Sequence, residues 1–118
     1  MSLPAPLDGI RVLDFTWLRS GPWGTRWLGA LGAEVLKVQW TFAPGQRGVV
    51  PGAGGKPVPD PNAGGTFGDT NSDKLSITLN VRNPKGFDLV KQLVAASDVV
   101  VENFTATVLK RWGLGYEE

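Results

Sequence analysis

The sequence contains no cysteine and no histidine. Without cysteine there is no disulfide, no thiolate nucleophile and no cysteine-based zinc site within these residues. Without histidine there is no imidazole base, so a Ser-His-Asp arrangement cannot be assembled here. Net charge is nearly absent as well: 12 Lys and Arg stand against 11 Asp and Glu, a formal +1. That balance argues against nucleic-acid binding driven by overall charge. No apolar run approaches the roughly 20 residues that a membrane helix needs. No basic segment followed by an apolar one marks a secretory signal. A cytoplasmic protein without a membrane or nucleic-acid partner is the expectation.

What is present fits one small globular domain. With 118 residues and 42% hydrophobic content, the chain has the size and composition of a single-core fold. The stretch 11–40 organises the rest. Arg11-Val-Leu-Asp-Phe15 is a short apolar run with one polar break, and reads as a strand. Pro22, after Gly21, suits the first helical position, where its missing N–H has no partner to lose. Trp23, Trp27, Ala30 and Leu31 recur at i, i+4, i+7 and i+8, which predicts one apolar stripe of a helix. Gly32 stands where a helix end favours a left-handed backbone. Residues 34–38 are again apolar and β-branched. Strand, helix and strand make a βαβ unit, with parallel strands and a right-handed crossover.

Residues 41–71 differ in texture. Glycine and proline dominate there and periodicity is weak, the composition of a long loop. Leu75-Ser-Ile-Thr-Leu-Asn80 alternates strictly and reads as a strand. Asn83-Pro84 pairs an N-cap residue with a proline at the first helical position. Phe87, Val90, Leu93 and Val94 then share one face of a helix over 84–96. Asp98-Val-Val-Val-Glu102 follows, and successive valines predict a strand buried on both faces, the habit of parallel sheets. Residues 106–112 predict a short last helix. The expected fold class is α/β, a Rossmann-like open parallel sheet with flanking helices. Two βαβ units leave that sheet incomplete, with an edge to cover. The chain therefore reads as the N-terminal part of something longer, or as a domain that a partner completes.

In open α/β sheets, ligands bind outside the carboxyl ends of the strands. Those ends deliver residues 16–20, Gln39 with Trp40, 79–82 and 103–105. They offer amides, hydroxyls, large rings and guanidinium groups. Such a mixture suits a ligand with an aromatic base and phosphates, since Arg forks onto phosphate and aromatic rings stack. Two common phosphate motifs are missing. Residues 16–24 lack the G-x-G-x-x-G of nicotinamide sites. Gly45-Gln-Arg-Gly48 and Gly52-Ala-Gly-Gly55-Lys56 are not Walker A, and Pro57 follows the lysine.

Several motifs in order resemble a known family. They are Leu7-Asp-Gly-Ile-Arg-Val-Leu-Asp-Phe-Thr16, Gly21-Pro22 and Leu31-Gly-Ala-Glu-Val-Leu-Lys-Val38, then Lys74-x-Ser76-Ile77-x-Leu79. Asn83-Pro-Lys-Gly86, Asp98-Val-Val-Val-Glu-Asn-Phe104 and Leu109-x-Arg111-Trp-Gly-Leu-Gly-Tyr116 complete the series. Together they resemble the opening of family III CoA-transferases, the CaiB/BaiF group, from Leu7 to the last residue. The loop 41–71 is the divergent part. Residues 1–118 are then implied to be the N-terminal, CoA-binding part of a CoA-transferase domain.

The resemblance implies that CoA, free or as acyl-CoA, is bound without a metal. It implies transfer of CoA from a donor thioester to a carboxylic acid, and a homodimer in the full-length form. The nucleophile implied is an Asp carboxylate that forms an acyl-enzyme anhydride. It is expected downstream, so no catalytic residue is assigned here. Implied CoA contacts are Arg19, Ser20, Trp40, Leu79, Asn80, Val81, Arg82, Asn103, Phe104, Thr105 and Arg111. The same group includes α-methylacyl-CoA racemases, an alternative, and a stand-alone binding domain without catalysis is a second. Two departures stand out. Asp73-Lys-Leu-Ser76 replaces the frequent Asn-Lys-Arg-Ser, and Ala106-Thr107 replaces a frequent Pro-Gly. Gly68-Asp-Thr-Asn-Ser72 imitates the catalytic Asp segment, but it lies at the wrong place in the chain, so Asp69 reads as a turn residue.

Overall fold

A computed structural model describes residues 3–39 and 65–117. Four parallel strands form its sheet: β1 (Arg11–Asp14), β2 (Glu34–Gln39), β3 (Lys74–Thr78) and β4 (Val99–Val101), in the order β3-β2-β1-β4. The helices are α1 (Ser20–Ala30), α2 (Gly65–Asn71), α3 (Pro84–Ala95) and α4 (Val108–Arg111). No helix among the described residues is long and apolar enough to cross a membrane.

Side chains alternate along each strand, so the sheet has two apolar faces. Leu13 and Val38 face the side where Val90, Leu93 and Val94 of α3 pack. Val12 and Val35 face the other side, where they meet Leu28 of α1. Helices therefore cover both faces of the sheet, as in a doubly wound fold. β1 lies at its centre, and Val12, Leu13 and Asp14 are at most 1% exposed.

Helix ends follow local chemistry. Asn83 caps α3, its Oδ1 accepting the Lys85 N–H at 3.0 Å, with Pro84 in the first turn. α1 ends in a Schellman pair: Ala33 N–H donates to Leu28 O at 3.0 Å and Gly32 N–H to Gly29 O at 2.9 Å. Gly32 has φ +102°, a conformation that costs glycine little.

Other expectations are corrected. Pro22 occupies the third helical position, because α1 begins at Ser20. Trp23, Trp27 and Leu31 are 42%, 53% and 45% exposed; the buried residues of α1 are Pro22 and Thr25. The face turned to the sheet meets charged groups on the strands, so a small polar residue fits it and a tryptophan does not. The valines of β4 are not buried on both faces. β4 pairs with β1 alone among the described residues, and Val99 and Val100 remain 41% and 39% exposed. The last helix is shorter than 106–112.

Residues 65–71, expected as loop, form α2. Three hydroxyl or amide groups donate back to carbonyls four residues earlier: Thr70 to Thr66, Asn71 to Phe67 and Ser72 to Gly68, at 2.9, 3.0 and 2.7 Å. Contacts with α1 hold this glycine- and threonine-rich segment helical despite its weak propensity. The rest of the expected loop lies outside the described residues.

Candidate functional site

The chain runs from β1 outward through β2 to β3, then returns to place β4 on the other side of β1. The order reverses between β1 and β4, and the crevice of such a sheet opens at the carboxyl ends of those two strands. Asn103, just beyond β4, bridges it. Its Oδ1 accepts the Trp17 N–H at 2.8 Å, and its Nδ2 donates to Trp17 O at 2.9 Å. The carboxamide thus continues the β1–β4 pairing where the ladder itself has stopped. Phe104 sets its ring edge-on to Trp17 at 5.0 Å and to Trp112 at 5.2 Å. Gly21 lets α1 begin against this junction. A Cβ there would fall 2.5 Å from Thr16 Cβ and 2.8 Å from Asn103 Cγ. Between the bridged Trp17 and the helix, Leu18 is held at φ +65°, a strained setting for a bulky residue.

Leu79 and Val81 reach the same rings. With Trp17, Gln39, Phe104 and Trp112 they line a seam whose free volume is about 10 Å³, roughly room for one water. Gln39 Nε2 is buried there without a hydrogen-bond partner among the described residues. Val81 belongs to the core, 7% exposed. Asn80 turns its Oδ1 onto the Arg82 N–H at 3.0 Å, closing a local turn. Arg82, Asn103 and Arg111 are exposed, and each is adjacent in sequence to a seam residue: Val81, Phe104 and Trp112. Thr105 is exposed, and its carbonyl accepts the Val108 N–H at 3.3 Å. Arg19 and Ser20 follow where the same turn enters α1, between Leu18 and Gly21. They border a separate cleft of about 510 Å³ between the start of α1 and α2, lined also by Trp23, Thr66, Asp69 and Thr70. Trp40 lies outside the described residues. Asp69 pairs with Arg26 at 3.4 Å on the surface.

Beneath the junction sits a cluster that sequence reading missed. Asp14 is fully buried and accepts the Thr16 N–H at 2.8 Å, the Thr25 hydroxyl at 2.6 Å and Lys74 Nζ at 3.0 Å. The Thr16 hydroxyl also donates to it. Lys74 Nζ further donates to Pro22 O at 2.9 Å, Thr25 Oγ1 at 2.7 Å and Asn71 Oδ1 at 3.1 Å. Lys37, on β2, is 4% exposed; its Nζ lies 3.9 Å from Asp14 and donates to Thr16 O at 2.6 Å. Two ammonium groups thus share one carboxylate.

Burial raises the Asp14 carboxyl, but Lys37, Thr16, Thr25 and Lys74 together outweigh it and hold it below its ordinary value. Burial lowers both lysines against the pull of Asp14, and Lys37 comes down to about 8. The available signal was Asp14 and Lys37 as single charges inside otherwise apolar strands. A charge at such a position is buried only when it is paired.

A parallel sheet wound in both directions, with an amide- and ring-lined switch point, defines a Rossmann-like α/β domain. The chain belongs to CoA-transferase family III, whose sequence profile matches residues 7–118. It is 42% identical to the succinyl-CoA:glutarate CoA-transferase of Mus musculus, aligned over 96% of this chain and 25% of that protein. It is likewise 42% identical to a formyl-CoA:oxalate CoA-transferase of Afipia carboxidovorans, over 94% of this chain and 25% of that one. Among solved structures it is similar to a CAIB/BAIF family protein from Brucella suis, with 34% identity and a TM-score of 0.77, covering 98% of this chain and 30% of that one. The chain spans about a quarter of the length of the curated relatives it matches.

Proposed function

We propose that residues 1–118 form the CoA-holding part of an acyl-CoA transferase that moves CoA between carboxylic acids. The carrying observation is the junction at the β1/β4 switch point, where Trp17, Phe104 and Trp112 meet and Asn103 bridges. Residues of this chain suit the ligand. The rings offer faces for a base, and the guanidinium groups of Arg82 and Arg111 suit phosphates. Gln39 Nε2 is a buried donor without a partner among the described residues. The relatives' names pair a CoA thioester with a dicarboxylic acid, which supports a carboxylic acid as acceptor here. A carboxylate nucleophile would come from outside these residues, where it forms an anhydride with the acyl group and releases CoA for transfer.

Calorimetric titration of CoA into the full-length protein tests this. Binding that weakens with added salt is expected, because phosphate contacts at the surface are screened. Arg111→Gln is expected to lower affinity about tenfold, the loss of one charge-assisted hydrogen bond. An absence of CoA binding by the wild-type protein would overturn the reading. Exchange of the α-proton of an acyl-CoA in deuterated water, without transfer between acids, would overturn the reaction assigned.

A further inference from the structure

The Thr16–Trp17 peptide unit has left the β1 ladder, yet side chains from two other segments hold both its polar ends. Its carbonyl accepts from Lys37 Nζ at 2.6 Å, and its N–H donates to Asn103 Oδ1 at 2.8 Å. Asp14 holds the preceding N–H, that of Thr16, at 2.8 Å. These ties lie immediately before the strained residue of the turn, Leu18, 67% exposed with φ +65°. Strained backbone persists where its surroundings over-determine it, and such places cluster at binding sites. Packing does not explain a lysine at position 37. Asp14 already has Lys74 at 3.0 Å, and burying a second ammonium is unfavourable where an apolar residue of like shape would fill the space.

We propose that Lys37 is a positioning residue for the CoA site, its ammonium fixing the β1–α1 turn through the Thr16 carbonyl. This rests on the CoA reading given above. Lys37 is buried beneath the turn and acts through it, the turn carrying Trp17 to the switch point. Charged groups reach it from two neighbouring elements among the described residues, Asp14 from β1 and Lys74 from β3. From α1 and α2 the partners that reach the cluster among the described residues are uncharged: Thr25, the Pro22 carbonyl and Asn71. The ammonium releases its proton at about pH 8, because burial disfavours it. A neutral amine is the weaker donor to a carbonyl. The turn therefore loosens as pH rises through that value.

The full-length protein serves as the test, with S-methyl-CoA as probe, since a thioether has no thiol to ionise. At pH 7, Lys37→Met is expected to bind about tenfold more weakly than wild type, one charge-assisted hydrogen bond being lost. Between pH 7 and pH 9 the wild type is expected to lose several-fold in affinity on the same ground, and the variant to lose none of it. Amide exchange in residues 15–19 is expected to run about tenfold faster in the variant at pH 7, with residues 12–14 unchanged. Equal affinity together with equal exchange overturns the proposal. If the wild type does not bind the probe, the CoA reading falls, and the exchange comparison still decides whether Lys37 positions the turn. If the variant does not fold, the wild type decides alone: affinity that is flat from pH 7 to pH 9 overturns it.

Discussion

Lys37 carries a charge into a strand where Val35 and Val38, at 1% and 5% exposure, belong to the core. The sign of its effect on stability follows from its lowered proton affinity. Below about pH 8 it is charged in both the folded and the unfolded chain, and the folded chain bears the burial penalty. Between about 8 and 10.5 the unfolded chain holds a proton that the folded chain has released, so stability rises with pH. Relative to Lys37→Met, the wild type is therefore expected to gain stability across that window. The gain is about 3 kcal/mol at most, read by denaturant titration at several pH values. A difference that stays flat or falls would contradict the cause assigned. Affinity for the nucleotide and stability of the fold then move in opposite directions, which a purely structural lysine would not produce. At this scale, sequence singled out Asn103 and Phe104, and both stand at the junction. It passed over Asp14, Lys37 and Lys74, because their pairing runs across three strands and shows in no single segment.

Among the elements, α3 was the most legible, α2 was read as loop, and α1 was read as a helix with the wrong face inward. Asn83 and Pro84 start α3 by chemistry confined to one turn, and Val90 is buried with Leu93 and Val94 half-buried beside it where the helical period puts them. Asn83→Ala is expected to lower stability by about 1 kcal/mol, with Asn83→Asp nearer wild type, in thermal or denaturant unfolding of the full-length protein. No change on Asn83→Ala would mean that packing alone holds that end. α1 shows the limit of periodicity. Its tryptophan stripe has helical spacing, yet it faces away from the sheet, and Arg26 stacks at 5.1 Å from Trp23 and 5.6 Å from Trp27. Which face turns inward was decided by Asp14 and Lys74, whose bonds need Thr25 and the Pro22 carbonyl. The sequence of α1 alone does not carry that information.

At the level of the whole molecule, the sheet is covered on both faces but open along β4. Val99 and Val100 are exposed beside it, and its outer edge has no strand neighbour among the described residues. Unpaired edges with apolar side chains recruit other strands. Produced as residues 1–118 alone, the chain is expected to self-associate as its concentration rises, and Val100→Lys to suppress this, by analytical ultracentrifugation. A monodisperse monomer at every concentration would show the edge to be closed by other means. The chain spans about a quarter of its curated relatives, so in proteins of their length many more residues are at hand to cover such a strand.

The amino-acid sequence by itself determined what depends on near neighbours in the chain. Those features are the four strands, the helices α1, α3 and α4 in outline, the Asn83 cap, the Gly32 stop, the parallel α/β class and the family motifs in their order. Tertiary structure alone decided which helix face turns inward, that β4 is an edge, and that a carboxylate and two lysines from three strands share one buried site. The physical reason is range. Caps, turns and periodicity act over a few residues, whereas burial of a charge is set by partners such as Lys74 and Asp14, which only the folded sheet brings together.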